Sequence, residues 1–88
     1  LSPAQWREIL GKVQNYAGNK TELGIPILFG LDSLHGANYI SGSTLFPHNL
    51  ALASSFNLDL ARSSGFVTAK ETRGAEVHWI FGPDVENF

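Results

Sequence analysis

The chain has no cysteine, which excludes a disulfide framework, a thiol nucleophile and a thiolate metal site. The redox compartment stays open, because a secreted protein can do without cysteine. Charge is sparse as well: 16% of the 88 residues are charged, six Lys plus Arg against eight Asp plus Glu, for a formal net charge of -2. That balance gives no electrostatic footprint for nucleic acid or an anionic membrane, so neither is expected as a partner. Long apolar runs are missing too. The longest spans only a few residues, far from the ~20 that cross a bilayer, and no basic-then-apolar leader pattern is readable. The length suffices for one small domain and not two, and falls well short of the ~250 residues of an α/β barrel. The start at Leu1 rather than Met leads us to expect a mature form or a piece of a longer product.

What is present is a sharply punctuated α/β pattern. Ser2 as N-cap, Pro3 at the first helical position and Gln5 three residues after the Ser form a helix-start signature. Trp6, Ile9, Leu10, Val13 and Ala17 then recur at helical steps, and Gly18 with Asn19 stops them. Such a stripe is a packing face with no chemistry of its own. After a connection to Pro26, residues 27–31 (ILFGL) form a continuous apolar run, the pattern of a strand buried on both faces of a parallel sheet. From Asp32 to Thr44 the chain is polar and glycine-bearing, and a loop of this kind directly after a buried strand is uncommon without a function.

Pro47 can open a short helix through Leu50 and Ala53. A second helix is predicted from an Asn57 N-cap to about Thr72, with Gly74 ending it. Gly65 in its middle is unfavourable by ~1 kcal/mol against Ala, and close packing on a sheet is the expected reason. A second apolar run over residues 77–81 holds His78 and Trp79 and stops at Gly82 and Pro83. The order helix, strand, long loop, helix, strand predicts a parallel β-α-β unit with a right-handed crossover. Two strands alone leave their outer edges and faces uncovered, so residues 1–88 read as a single partial domain, the opening of a larger α/β domain.

Ligands of parallel α/β folds bind at the C-terminal ends of the strands. One end carries Asp32, Ser33, His35, Gly36, Ala37, Asn38 and Tyr39; the other carries Gly82, Pro83 and Asp84. An ionised Asp is acceptor-only, which suits capture of two neighbouring sugar hydroxyls, and the same residue could equally cap the loop by accepting backbone N–H groups. His35, His48 and His78 lack the H-x-x-x-H spacing of a helical metal site, so no metal is expected. No G-x-S-x-G elbow marks a serine nucleophile, and no G-x-G-x-x-G or Walker loop marks a phosphate site. The acids available for paired-carboxylate hydrolysis are Asp32, Glu71, Asp84 and Glu86, and their spacing identifies no nucleophile and acid pair. Glu71, beside Lys70 and Arg73, reads as an ion-paired or solvated helix residue. Asn19-Lys20-Thr21 matches an N-glycosylation sequon in an expected loop after the first helix.

Taken together, GIPILFGLDSLHGANY over 24–39, GSTLFPHN over 42–49, ASSFN over 53–57, TAKETR over 68–73 and WIFGP over 79–83 closely resemble the N-terminal catalytic domain of glycoside hydrolase family 3. The β-glucosidase and exo-β-glucanase branch is the nearest in pattern. The combination G-x-D-S-x-H-G-A-N, G-x-T-x-F-P-x-N and T-A-x-E-x-R, in that order, is highly specific and reaches from about Trp6 to Pro83. The resemblance implies the first part of a (β/α)8 TIM-type barrel, incomplete in this chain, whose first strand is 27–31. It implies that Asp32 hydrogen-bonds hydroxyls of the non-reducing terminal sugar, with His35, Asn38 and Tyr39 lining the site or ordering its loop.

A retaining mechanism is implied as well, run by an Asp nucleophile and a Glu acid/base that lie later in the family's sequence, so no catalytic residue is expected in this chain and the isolated chain is expected to be inactive. Glu71 and Arg73 match a helix motif that the resemblance suggests is structural. The implied substrate is a β-glucoside or β-glucan oligosaccharide with a terminal β-D-glucosyl residue, no cofactor is implied, and the implied partners are the rest of the barrel and a second domain. Secreted, periplasmic or lysosomal placement follows from the family. The C-terminus departs from the pattern: Glu86 falls where an Asp is expected, and Asp84 where an apolar residue is expected. Rival readings are a non-catalytic fragment or carbohydrate-binding piece, and a related β-xylosidase or N-acetylglucosaminidase.

Overall fold

The computed structural model describes residues 1–83. In chain order the elements are α1 (Pro3–Asn19), β1 (Gly30–Leu31), α2 (Asn49–Ser54), α3 (Leu58–Gly74) and β2 (Trp79–Ile80). The start of α1 is a capping box: Ser2 Oγ accepts from the Gln5 N–H at 3.2 Å, and Gln5 Oε1 accepts from the Ser2 N–H at 2.8 Å. Leu10 and Ala17 are buried and Trp6 and Val13 half-buried, while Ile9, at the flank of that line, is exposed, so the packing stripe is narrower than predicted. Asn57 caps α3, its Oδ1 accepting from the Leu60 N–H at 3.1 Å. The short helix begins at Asn49 rather than Pro47, its first turn closed by Leu52 N–H donating to the His48 carbonyl at 2.9 Å.

The two strands pair in parallel, Gly30 with Trp79 and Leu31 with Ile80, and α2 and α3 lie in the crossover between them. Both are shorter than predicted. Ile27 cannot extend β1 toward a ladder partner because Gln14 of α1 occupies its backbone, donating to its carbonyl at 2.5 Å and accepting from its N–H at 2.9 Å. At the other run, Val77 N–H donates to the Thr72 carbonyl at 3.3 Å, so this residue closes the end of α3 before β2 begins. Burial on both faces is also not observed: Ile27 is 47% and Leu28 65% exposed, because the described residues place only one neighbouring strand beside β1. Nor does Gly65 pack on a sheet. Nothing lies within 4 Å of the position of a Cβ there, and its backbone borders an open cleft instead.

The core is small. Leu10, Ala37, Ile40, Ala75 and Val77 form it, with Trp6, Phe29 and Leu31 packed against it. Polar ties from α1 complete the frame: Arg7 Nη1 donates to the Gly74 carbonyl at 2.8 Å, and Trp6 Nε1 to the Tyr39 carbonyl at 3.2 Å. The accessible surface is 6346 Å² and the Cα radius of gyration 15.3 Å. A self-contained domain of this mass would expose about 5,100 Å² and have a radius near 12 Å. Leu28, Phe56, Leu58, Phe66 and Trp79 are among the large apolar side chains left exposed. The isolated chain is therefore expected to lack a sharp cooperative thermal transition and to bind a hydrophobic dye. A steep calorimetric transition of the 88-residue chain would contradict this.

Candidate functional site

The polar loop after β1 is built as a closed hairpin-like arch. Gly36 forms an antiparallel bridge with Leu45, and Phe46 N–H donates to the His35 carbonyl at 2.9 Å. The arch closes this tightly because Gly36 has φ +104°, a conformation that residues with a Cβ rarely adopt, and because the Thr44 carbonyl oxygen lies 2.2 Å from where that Cβ would be. At the tip, Ser43 Oγ donates to the Ala37 carbonyl at 2.5 Å, and Ile40 N–H donates to the same carbonyl at 2.9 Å.

Asp32 is the first residue after β1 and is exposed. Among the described residues, no donor engages its carboxylate. The backbone beside it is held firmly. Asn38, with its amide nitrogen turned toward the carbonyls, donates to the Asp32 oxygen at 3.1 Å and to the Gly36 oxygen at 3.2 Å. Ser33, buried, accepts at Oγ from Thr72 Oγ1 of α3 at 3.2 Å. The Asp32 carboxylate, exposed and without a donor among the described residues, keeps its acceptor capacity at the end of β1.

The other predicted site residues separate. His35 is half-buried, and its ring meets that of His48 with centroids 4.3 Å apart. Their separation of 13 positions follows no ligand spacing, so the pairing was not readable in the sequence. No group of three or more His, Asp or Glu side chains suited to a metal ion is gathered among the described residues. Tyr39 is exposed and contributes its carbonyl to Trp6. An open cleft of about 900 Å³ runs between the His35 limb, α2 and α3, bordered by Leu34, Phe46, Leu52, Phe56, Ala61 and Ile80. His35 lines it; Asp32, Asn38 and Tyr39 do not. Ser33, Asn49, Asn57, Ser64 and Thr68 also border this cleft, and the Asp32 strand end stands outside it.

Glu71 departs from its predicted surroundings. It is half-buried, and no ion pair reaches it among the described residues; its carboxylate accepts from the Thr44 N–H at 2.9 Å and the Thr44 hydroxyl at 3.0 Å. Arg73 is exposed in the last turn of α3, where a cation complements the helix C-terminus. Asn19 is the last residue of α1 and not in a loop; it is exposed, and its Nδ2 donates to Asn15 Oδ1. Asp84 and Glu86 lie outside the described residues. No helix among the described residues is long and apolar enough to cross a membrane.

The parallel β-α-β unit, with a polar arch and an acidic residue after its first strand, defines an α/β protein. Residues 2–87 match the glycosyl hydrolase family 3 N terminal domain, and the chain belongs to that family. Over 83 residues it is 36% identical to the lysosomal beta glucosidase of Dictyostelium discoideum, covering 94% of this chain and 10% of that protein. Over 80 residues it is 35% identical to the periplasmic beta-glucosidase of Salmonella typhimurium, covering 91% of this chain and 10% of that one. A probable beta-glucosidase F of Aspergillus fumigatus is 30% identical over 76 residues, 86% of this chain and 9% of its own. The chain thus spans about a tenth of the length of these relatives. No solved structure matches it.

Proposed function

We propose that this chain supplies the first strand and the sugar-facing arch of a family 3 catalytic domain, the opening of a (β/α)8 barrel whose other units lie in a longer enzyme. The activity of that enzyme is hydrolysis of terminal, non-reducing β-D-glucosyl residues from β-glucosides or β-glucan oligosaccharides. The observation that carries this reading is the exposed, unengaged Asp32 carboxylate at the end of β1, inside a chain whose family match runs over residues 2–87. Asp32 accepts hydrogen bonds from hydroxyls of the terminal sugar and so fixes the ring over the strand ends. The exposed apolar flanks of the β1–β2 pair are covered by the remaining barrel units. A secreted, periplasmic or lysosomal setting fits the named compartments of the relatives.

The chemistry is retaining and uses two carboxylates. One attacks the anomeric carbon while the other protonates the departing glycosidic oxygen. Water, deprotonated by the second group, then attacks the same carbon and releases the first. Neither group is assigned to this chain: Asp32 serves binding, and Glu71 is committed to Thr44. The division of labour is tested with a chromogenic aryl β-glucoside. The complete enzyme is expected to turn it over and the 88-residue chain to give only the uncatalysed rate. Turnover by the 88-residue chain would place a catalytic pair within it and overturn the assignment.

A further inference from the structure

We propose that Glu71 is a positioning residue for Asp32: it clamps the return limb of the arch to α3 and so holds the Asp32 carboxylate at the strand end. This rests on the sugar-binding reading above and adds to it a residue on a different element.

The clamp uses one carboxylate on both donors of one residue. Oε2 accepts from the Thr44 N–H at 2.9 Å and Oε1 from the Thr44 hydroxyl at 3.0 Å, which fixes the place and the orientation of Thr44 together. The Thr44 carbonyl in turn abuts Gly36, and Leu45 bridges Gly36. From Gly36 the path returns to Asp32 through Asn38, whose amide spans the Gly36 and Asp32 carbonyls. The outgoing limb is held by the neighbouring helix residue, since Thr72 donates to Ser33 directly after Asp32. Two successive residues of α3 thus grip both limbs of the arch. Successive positions on a helix point about 100° apart, which is what allows one helix to reach two separate strands of loop.

The required group is an acceptor of Glu length, and its charge is secondary. Glutamine keeps both contacts, because its oxygen accepts from the Thr44 N–H while its NH₂ donates to the Thr44 hydroxyl oxygen. Alanine keeps neither.

The test is a double-mutant cycle in the complete enzyme, with kcat and KM measured on an aryl β-glucoside and melting temperatures read alongside. Glu71→Ala is expected to lower kcat/KM by about 10–100-fold, the size of effect that a displacement near 1 Å produces at a binding group. Glu71→Gln is expected to recover most of that loss. On the Asp32→Ala background, Glu71→Ala is expected to add no more than about 3-fold, because a residue acting through another has nothing left to position. If Glu71→Ala fails to fold, Thr44→Val, which removes only the hydroxyl half of the clamp, takes its place and should show a smaller loss that likewise vanishes with Asp32→Ala. Losses that multiply in the double variant, or a Glu71→Gln as poor as Glu71→Ala, would overturn the proposal. An Asp32→Ala without effect would instead bring down the sugar-binding reading and this proposal with it.

Discussion

Replacing Asp32 by alanine in the complete enzyme is expected to lower kcat/KM for an aryl β-glucoside by about 10²–10⁴-fold. The magnitude follows from chemistry at one carboxylate. A hydrogen bond to a charged group contributes about 1.5–3 kcal/mol net, so two hydroxyls captured together contribute about 3–6 kcal/mol. Because the sugar ring is repositioned as the anomeric carbon moves toward the transition state, the loss should fall on kcat as well as KM. Folding should be little affected: Asp32 is exposed and, among the described residues, its carboxylate supports no other group. A variant with full activity, or one whose loss tracks a collapse in melting temperature, would contradict the assignment.

The largest effect on folding is expected at Gly36. An alanine there must adopt φ near +104° and would place its Cβ 2.2 Å from the Thr44 carbonyl oxygen, a backbone atom that cannot swing aside. Relieving the overlap opens the Gly36 to Leu45 bridge with its bond from Phe46 N–H to the His35 carbonyl. Backbone strain of about 1–3 kcal/mol and the loss of the bridge's Phe46–His35 hydrogen bond, about 1 kcal/mol, give a destabilisation of roughly 2–4 kcal/mol. Gly42 is the internal control, since it too has a positive φ, +84°, but nothing within 4 Å of its Cβ position. Gly42→Ala should therefore cost only about 1–2 kcal/mol. The check is the melting temperature and soluble yield of the complete enzyme carrying each change. Equal effects at the two glycines would show that the Thr44 contact carries no weight.

Sequence reading was strongest where the stabilising contacts are local. The Ser2 capping box joins residues three positions apart, and so does the Asn57 cap of α3, so composition at fixed offsets reports them directly. Strand length is different, because a ladder ends where its partner ends. The run over 27–31 is uniformly apolar, and nothing in it says that a glutamine thirteen residues earlier takes the Ile27 backbone. Glu71 failed to stand out for a related reason: a glutamate between lysine and arginine on a helix has one local signature, whether solvated or clamped to a threonine 27 residues away. The same holds for Gly65, whose place in α3 suggested a sheet contact and whose surroundings are an open cleft. The position of Asp32 at the end of β1 was legible because it depends on order alone, the first residue after an apolar run.

The most direct test of the account is a substrate-deletion cycle at Asp32. Aryl β-glucosides lacking single hydroxyls of the terminal sugar are hydrolysed by the complete enzyme and by its Asp32→Ala variant, and kcat/KM is compared for each pair. If Asp32 binds sugar hydroxyls, at least one deoxy substrate will lose about 10-fold or more with the unaltered enzyme and almost nothing with the variant, because the partner of the missing hydroxyl is already gone. Identical penalties in both enzymes for every hydroxyl would contradict the account and leave Asp32 with no role in recognising the sugar.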